Sequence, residues 1–235
     1  IAHDFNNLLA IILDNASLAL DELPHLSPAR DNLSAIEATS LRAAELCRQM
    51  LAYSGKGRFA IENIRLGALI REMVSLLKSS LSKKAILNLN LKEPLPPLRG
   101  DPSQIRQVVM NLVINASEAI GERSGVVTIS TGVMECSREY LCDFYLDERL
   151  MEGSYVWLQI ADTGCGMDPE TQRRIFEPFF RGTHTEGPKV EGSGLGLAIA
   201  NEYVAAHHGH IELVDSKVGA HFRVVLPKKW KERQA

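Results

Sequence analysis

Apolar residues near the start of the chain recur at Phe5, Leu8, Leu9, Ile12, Ala16 and Leu20. That spacing lines one face of an α-helix. The stretch Leu23-Pro24-His25-Leu26-Ser27-Pro28 reads as a short turn between two prolines. Beyond it, Leu33, Ile36, Leu41, Ala44, Cys47 and Leu51 repeat near a heptad spacing, which predicts a second helix about 35 Å long at roughly 1.5 Å per residue. Two helices with one apolar stripe each cannot close a core alone. Residues 1–53 therefore predict an antiparallel hairpin, half of a four-helix bundle that a second copy completes.

The pattern changes after Tyr53-Ser54-Gly55-Lys56-Gly57, so residues 54–59 read as a linker, 60–227 as a second domain and 228–235 as a tail. Ala60–Ile64 is a short strand candidate, Leu66–Leu81 an amphipathic helix, and Ala85–Leu91 a half-buried strand by its alternation. Pro94, Pro96 and Pro97 predict a loop. Asp101-Pro102 then opens a helix to about Ile120, with Asp at the N-cap and Pro in the first turn. Gly125–Met134 and Ser154–Ala161 read as strands, separated by residues 135–153, which read either as a short helix or as an excursion and to which no chemistry is assigned. Asp168-Pro169 opens a short helix, 182–192 is a glycine-containing polar loop, and Gly194–His208 is a helix. His210–Val214 and Ala220–Leu226 make a closing hairpin around Gly219. The expected fold class is α+β: the helical hairpin, then an α/β sandwich with a mixed sheet and helices on one face.

Composition narrows the function classes. The 235 residues are 45% hydrophobic, enough to bury a sizeable core. A formal net charge of -3 gives no footprint for nucleic acid. The longest apolar run, Leu8–Leu13, is too short to span a bilayer. No direct membrane contact is expected of this stretch, which leaves an anchor elsewhere in a full-length protein open. Cys47, Cys136, Cys142 and Cys165 show no C-x-x-C spacing, which fits a reducing, cytoplasmic setting. Cys47 is expected in a core. Cys165, in a glycine-rich turn, is the cysteine whose expected exposure would allow reactivity. The chain starts two residues before His3, and it is expected to be a fragment of a longer protein.

Five stretches could carry chemistry. His3-Asp4-x-x-Asn7 sets an imidazole beside a carboxylate, with an amide one turn on. An imidazole held by a carboxylate keeps its other nitrogen free as a nucleophile. By itself the stretch reads more readily as an ordinary polar helix start. Asn111 and Asn115, four apart, share one helix face and offer amide oxygens suited to Mg²⁺, or simply a polar face. Asp162-x-Gly164-x-Gly166 places a carboxylate at a strand end before glycines that let backbone approach a flat ligand. Phe176-Glu177-Pro178-Phe179-Phe180-Arg181 precedes the polar loop, with Arg181 able to reach a phosphate. Gly192-x-Gly194-Leu195-Gly196 leads into a helix, leaving backbone N–H groups for phosphate oxygens. It is neither a dinucleotide-binding fingerprint nor a P-loop.

In this order, these stretches resemble a sensor histidine kinase: a dimerisation and phosphoacceptor hairpin, then the ATP-binding domain shared with gyrase, the Hsp90 chaperones and the mismatch-repair MutL proteins (the GHKL, or Bergerat, type). The resemblance covers residues 1–227. His3-Asp4-x-x-Asn7 looks like the family's H box, and Asn111 to Asn115 like its N box. Asp162-x-Gly164-x-Gly166 looks like the G1 box, Phe176 to Phe180 the F box, and Gly192-x-Gly194-x-Gly196 the G2 box. The wording "HDFNN" is similar to a branch that includes many hybrid kinases, in which a receiver domain follows in the same chain.

The resemblance implies a mechanism. ATP is the cofactor, with Mg²⁺ held by Asn115 and Asn111. Asp162 accepts from the adenine amino group, and Gly164 and Gly166 shape its turn. Phe179, Arg181, Lys189, Gly192, Gly194, Leu195 and Gly196 belong to the nucleotide site. His3 takes the γ-phosphoryl group, Asp4 orients its ring and accepts its other proton, and Asn7 orients water for a phosphatase step. The phosphoryl group then passes to an aspartate of a response-regulator receiver. The expected partners are a second copy through residues 1–53 and that receiver. In the ATP-hydrolysing members of the superfamily, the place of Asn111 is taken by a glutamate that activates water, which an amide cannot do. Two departures stand out: Leu8 occupies a position often held by proline, and the 182–192 loop departs from the usual branch pattern, with Lys189 the candidate for its lysine. A GHKL ATPase or serine kinase, and a degenerate kinase serving as a dimeric ATP-binding module, remain the alternatives.

Overall fold

Helix α1 (Ala2–Glu22) and helix α2 (Ala29–Tyr53) form the first of two units into which the chain divides, residues 1–58 and 59–235. The structure is a computed structural model describing residues 2–24, 27–53, 60–144, 152–182 and 193–228, with backbone only at 2–7, 41–42, 44–53 and 142–144. The expected linker 54–59, Lys189, Gly192, the tail beyond 228 and the side chains of His3, Asp4, Asn7 and Cys47 lie outside the described residues.

The turn between the helices is closed by polar groups. The Ser27 N–H donates to Pro24 O at 2.9 Å, and Arg30 Nη1 donates to Leu23 O at 3.0 Å and to Leu20 O. The guanidinium thereby satisfies carbonyls that the end of α1 leaves unpaired. Leu9, Leu13, Ala16 and Leu20 are the more covered apolar residues of α1, whereas Leu8, Ile11, Ile12 and Leu18 are 45–62% exposed. Helix α1 thus carries a second apolar stripe, turned to solvent in the single chain. It runs unbroken through Leu8, where proline would have kinked it.

The second unit is a mixed five-stranded sheet in the order β2-β4-β5-β7-β6. Its strands are β2 (Ala85–Leu91), β4 (Gly125–Cys136), β5 (Gly153–Asp162), β6 (His210–Val214) and β7 (His221–Pro227). Strands β2 and β4 are parallel and the other pairs antiparallel. Alternation sends Val127, Ile129, Val156, Leu158, Ile160, Val224 and Leu226 to one face, where they are almost fully buried. Helices α3 (Leu66–Ser80), α4 (Pro102–Ile120) and α7 (Gly196–Ala206) cover that face, with Leu69, Ile70, Leu112, Val113 and Val204 in the shared core.

Two features differ from expectation. Leu98–Gly100, directly after the prolines, is a strand (β3) that pairs antiparallel with β1 (Glu62–Ile64). Three residues are too few to show a period. After β4 the short-helix alternative holds, as α5 (Arg138–Phe144), but on the opposite sheet face: Leu141 joins Cys136, Tyr155 and Val225 in a separate small core. Helices therefore lie on both faces rather than one. Helix α6 (Pro169–Arg174) links β5 to the loop before α7.

Candidate functional site

Asp162 ends β5 and is 3% exposed. Its backbone N–H donates to Ala220 O at 3.0 Å, and its Oδ1 accepts from the backbone N–H of Gly164 at 2.7 Å and of Ala220 at 3.2 Å. Both bonds fall on one oxygen. Among the described residues nothing donates to Oδ2, which leaves an acceptor for a ligand. Burial pushes the carboxyl above its ordinary value, while the two backbone N–H groups and the nearby His221 pull the other way. Gly219 lies against the Asp162 carbonyl with φ +66, leaving no room for a Cβ. Sequence reasoning saw Gly219 only as a hairpin glycine; its part in cradling Asp162 comes from the sheet.

The glycine-rich turn after Asp162 packs on the end of α4. A Cβ at Gly164 would meet the Ala119 backbone at 2.7 Å, and the Cys165 N–H donates to Ala119 O at 3.1 Å. Gly166 has φ +70. Glycine is favoured at both positions for two distinct reasons, close approach at 164 and a left-handed backbone at 166. Cys165 is exposed in the turn.

Helix α4 starts at Asp101, whose side chain accepts from the N–H groups of Ser103 and Gln104. Further along it stand Gln107 and Asn111, one turn apart. Asn111 is 6% exposed, and its amide is engaged at both ends: Nδ2 donates to Gly196 O at 2.9 Å and Oδ1 accepts from Gln107 Nε2 at 2.9 Å. It thus joins α4 to the first residue of α7. Gln107 was not singled out in the sequence, although its position four residues before Asn111 put it on the same helix face. Asn115, one turn on, has a buried Nδ2 without a partner among the described residues. Its Oδ1 lies 3.9 Å from where a Gly196 Cβ would stand. Asn111, Asn115 and Gly196 therefore share one small region.

Gly194 has φ +69, and a Cβ there would meet the Phe179 backbone at 2.7 Å. Phe179 itself is left-handed at φ 64, 61% exposed, and donates its N–H to Gly194 O at 3.0 Å. Leu195 is buried and caps α7, with its N–H donating to Ser193 Oγ at 3.3 Å. The Phe176 ring packs edge-on against Phe222, and Arg174 stacks over Phe180 at 4.3 Å. Arg181 is exposed.

The described residues fit a nucleotide. A buried carboxylate offers an unengaged oxygen, a buried amide lacks a partner, and the N-terminus of α7 faces the Asn111–Asn115 stripe. No group of three or more His, Cys, Asp or Glu side chains able to hold a metal occurs among the described residues. A divalent cation here would be held by neutral amide oxygens and by the ligand's own phosphates, an arrangement suited to Mg²⁺. No helix among the described residues is long and apolar enough to cross a membrane.

Residues 100–229 match the model of the family described as histidine kinase-, DNA gyrase B- and HSP90-like ATPase. The sensor kinase CckA of Brucella abortus (strain 2308) is 31% identical over the whole chain, which spans 24% of that protein. The signal transduction histidine-protein kinase AtoS of Escherichia coli (strain K12) is 29% identical over 78% of the chain, 26% of its own length. The chain thus spans about a quarter of these relatives. Among solved structures, full-length ShkA in complex with AMPPNP has the same fold at a TM-score of 0.72, with 23% identity, 96% of this chain and 44% of that one covered. The catalytic domain of the histidine kinase ThkA matches 72% of this chain and 98% of its own at 27% identity and a TM-score of 0.54. With more than half of its length matched by the family model, the chain belongs to the histidine kinase-, DNA gyrase B- and HSP90-like ATPases.

Proposed function

We propose that the chain is the core of a two-component sensor histidine kinase. ATP binds the second unit, His3 is phosphorylated, and the phosphoryl group passes to an aspartate of a response-regulator receiver. The observation that carries this over ATP hydrolysis is Asn111: a buried amide pinned between Gln107 and Gly196 cannot take a proton from water. The relatives support the same reading, since they are named as sensor or histidine-protein kinases. ThkA has been solved in complex with the response regulator TrrA, at 24% identity to this chain.

The chain's residues divide the work. Asp162 Oδ2 accepts from the adenine amino group, and the backbone of Gly164 and Gly166 lies against the base. Asn115, through its amide oxygen and with Asn111 beside it, holds the cation, which when bound neutralises phosphate charge. Gly192, Gly194, Leu195 and Gly196 offer backbone donors to phosphate oxygens, Phe179 buttresses that turn, and Arg181 and Lys189 bring positive charge. His3 attacks the γ-phosphorus: an N–P bond forms, the bond to the ADP oxygen breaks, and the imidazole proton passes to Asp4. Asn7 orients water for the reverse, phosphatase step. Residues 1–53 form the homodimer, residues 54–59 are the linker, and the second domain runs over 60–227 in a cytoplasmic setting. The exposed stripe of Leu8, Ile11, Ile12 and Leu18 supports the dimer.

The test is incubation with γ-labelled ATP and Mg²⁺, comparing the native chain with His3→Gln. Label that is lost in acid, survives base and is absent from the variant is the expected result. Steady ATP hydrolysis with no label on His3 would overturn the kinase reading.

A further inference from the structure

Three parts of the second unit meet at Asp101, which is 4% exposed. Its Oδ1 accepts from the backbone N–H of Ser103 at 2.8 Å and of Gln104 at 3.3 Å, capping α4. Its Oδ2 accepts from the backbone N–H of Ala60 at 3.0 Å, a residue 41 positions earlier and the first one described after 54–59. Its own backbone N–H donates to His207 Nε2 at 2.9 Å, at the end of α7. The other ring nitrogen, Nδ1, lies 2.6 Å from Tyr203 O, so the ring carries its proton on Nδ1 and accepts at Nε2. The His207 ring fills the space where a Gly100 side chain would stand. Just beyond Ala60, β1 pairs with β3, which leads straight into Asp101.

An N-cap needs one carboxylate oxygen. Here the second oxygen is spent on the entering chain, and the backbone N–H on the far end of α7. Helix α4 carries Asn111 and Asn115, and α7 begins at Gly196. We propose that Asp101, held by His207, is a positioning residue: it pins the point where the linker joins the ATP-binding unit onto the two helices that hold the nucleotide. This rests on the kinase reading above. A chain that leaves its domain at a fixed point keeps the effective concentration of the tethered acceptor high, and a loosened exit lowers it without touching the nucleotide's own contacts. Asp101 therefore governs the rate of transfer to His3 rather than affinity for ATP.

The bond can be cut from either end in the full chain. Asp101→Asn keeps an oxygen to cap α4 but turns an N–H toward Ala60. Ala60→Pro removes the donor and leaves the carboxylate intact. Both variants are expected to lower kcat for self-phosphorylation about tenfold, with the KM for ATP and the Kd for a fluorescent ATP analogue within about twofold of native. An unchanged kcat in both, or Kd and kcat weakening together in both, overturns the proposal. If Ala60→Pro fails to fold, Asp101→Ser, which still caps but is too short to reach Ala60, takes its place. Amide exchange separates this reading from the kinase reading. A native chain that takes no label sinks the latter alone. In that case an Ala60 amide protected in the native chain and open in Asp101→Asn still supports the pinning, and equal exchange overturns it.

Discussion

Asp162 shows how one side chain acquires its role. Burial alone would leave a carboxylate protonated at an unusually high pH, yet two backbone N–H groups hold Oδ1 and leave Oδ2 for a ligand. Asp162→Asn keeps an oxygen for Gly164 and Ala220 and removes the second acceptor. We expect a stability change within about 1 kcal/mol and a loss of nucleotide affinity of at least about tenfold, from urea unfolding and analogue titration. Gly219→Ala should behave differently, because a methyl group there meets the Asp162 backbone at a left-handed φ. It is expected to cost about 2–4 kcal/mol of stability and to weaken nucleotide binding as well. At this scale Asp162 was legible because its neighbours Gly164 and Gly166 follow within four residues. Gly219 and Gln107 were not: the first acts across two strands, and the second acts only because Asn111 needs a donor.

At the scale of elements, periodicity was informative wherever an element was long. The limits of α4 follow from a capping pair, and those of β2 from an alternation that holds over only part of the strand. Strand β3 was missed because three residues carry no period, and α5 stayed open against an irregular excursion because its stability comes from what it covers. Helix α5 places Tyr140 over the outer sheet face, with its hydroxyl 3.2 Å from Glu212 Oε1, while Arg223 Nη1 holds the same oxygen at 3.2 Å. Burial first, then the Glu212 charge, raise the Tyr140 hydroxyl well above its usual range, so it stays a donor at neutral pH. Tyr140→Phe is therefore expected to lower stability by about 1 kcal/mol and to leave nucleotide affinity unchanged, since α5 lies on the face away from α4 and α7. Equal losses in both measurements would show that the two faces are coupled.

For the whole molecule, two buried histidines set a pH dependence. Burial is the main cause that holds His207 and His210 below the ordinary imidazole value of 6.5. His207 faces Tyr203 O, Asp101 and His208; His210 faces Tyr140, Glu212 and Arg223. Below 6.5 the unfolded chain takes up protons that the native chain refuses, so stability is complete above that value and falls as pH drops. The limiting slope is about 1.4 kcal/mol per pH unit for each imidazole. Urea unfolding between pH 7.5 and 5.5 checks this, and His207→Gln should flatten the slope in part. The apolar stripe on α1 gives a second prediction at this scale: if it forms the proposed dimer, the native chain sediments as a dimer and Leu18→Glu weakens association at least about a hundredfold. The sequence by itself determined the order of the longer elements, the α+β class, and the family resemblance through short motifs, because capping, alternation and glycine spacing are local rules. Only the tertiary structure decided which oxygen of Asp162 is left for a ligand, that Asn111 joins α4 to α7, and that Asp101 reaches back to Ala60. Each of those depends on hydrogen bonds between residues far apart in the chain, and no local pattern encodes them.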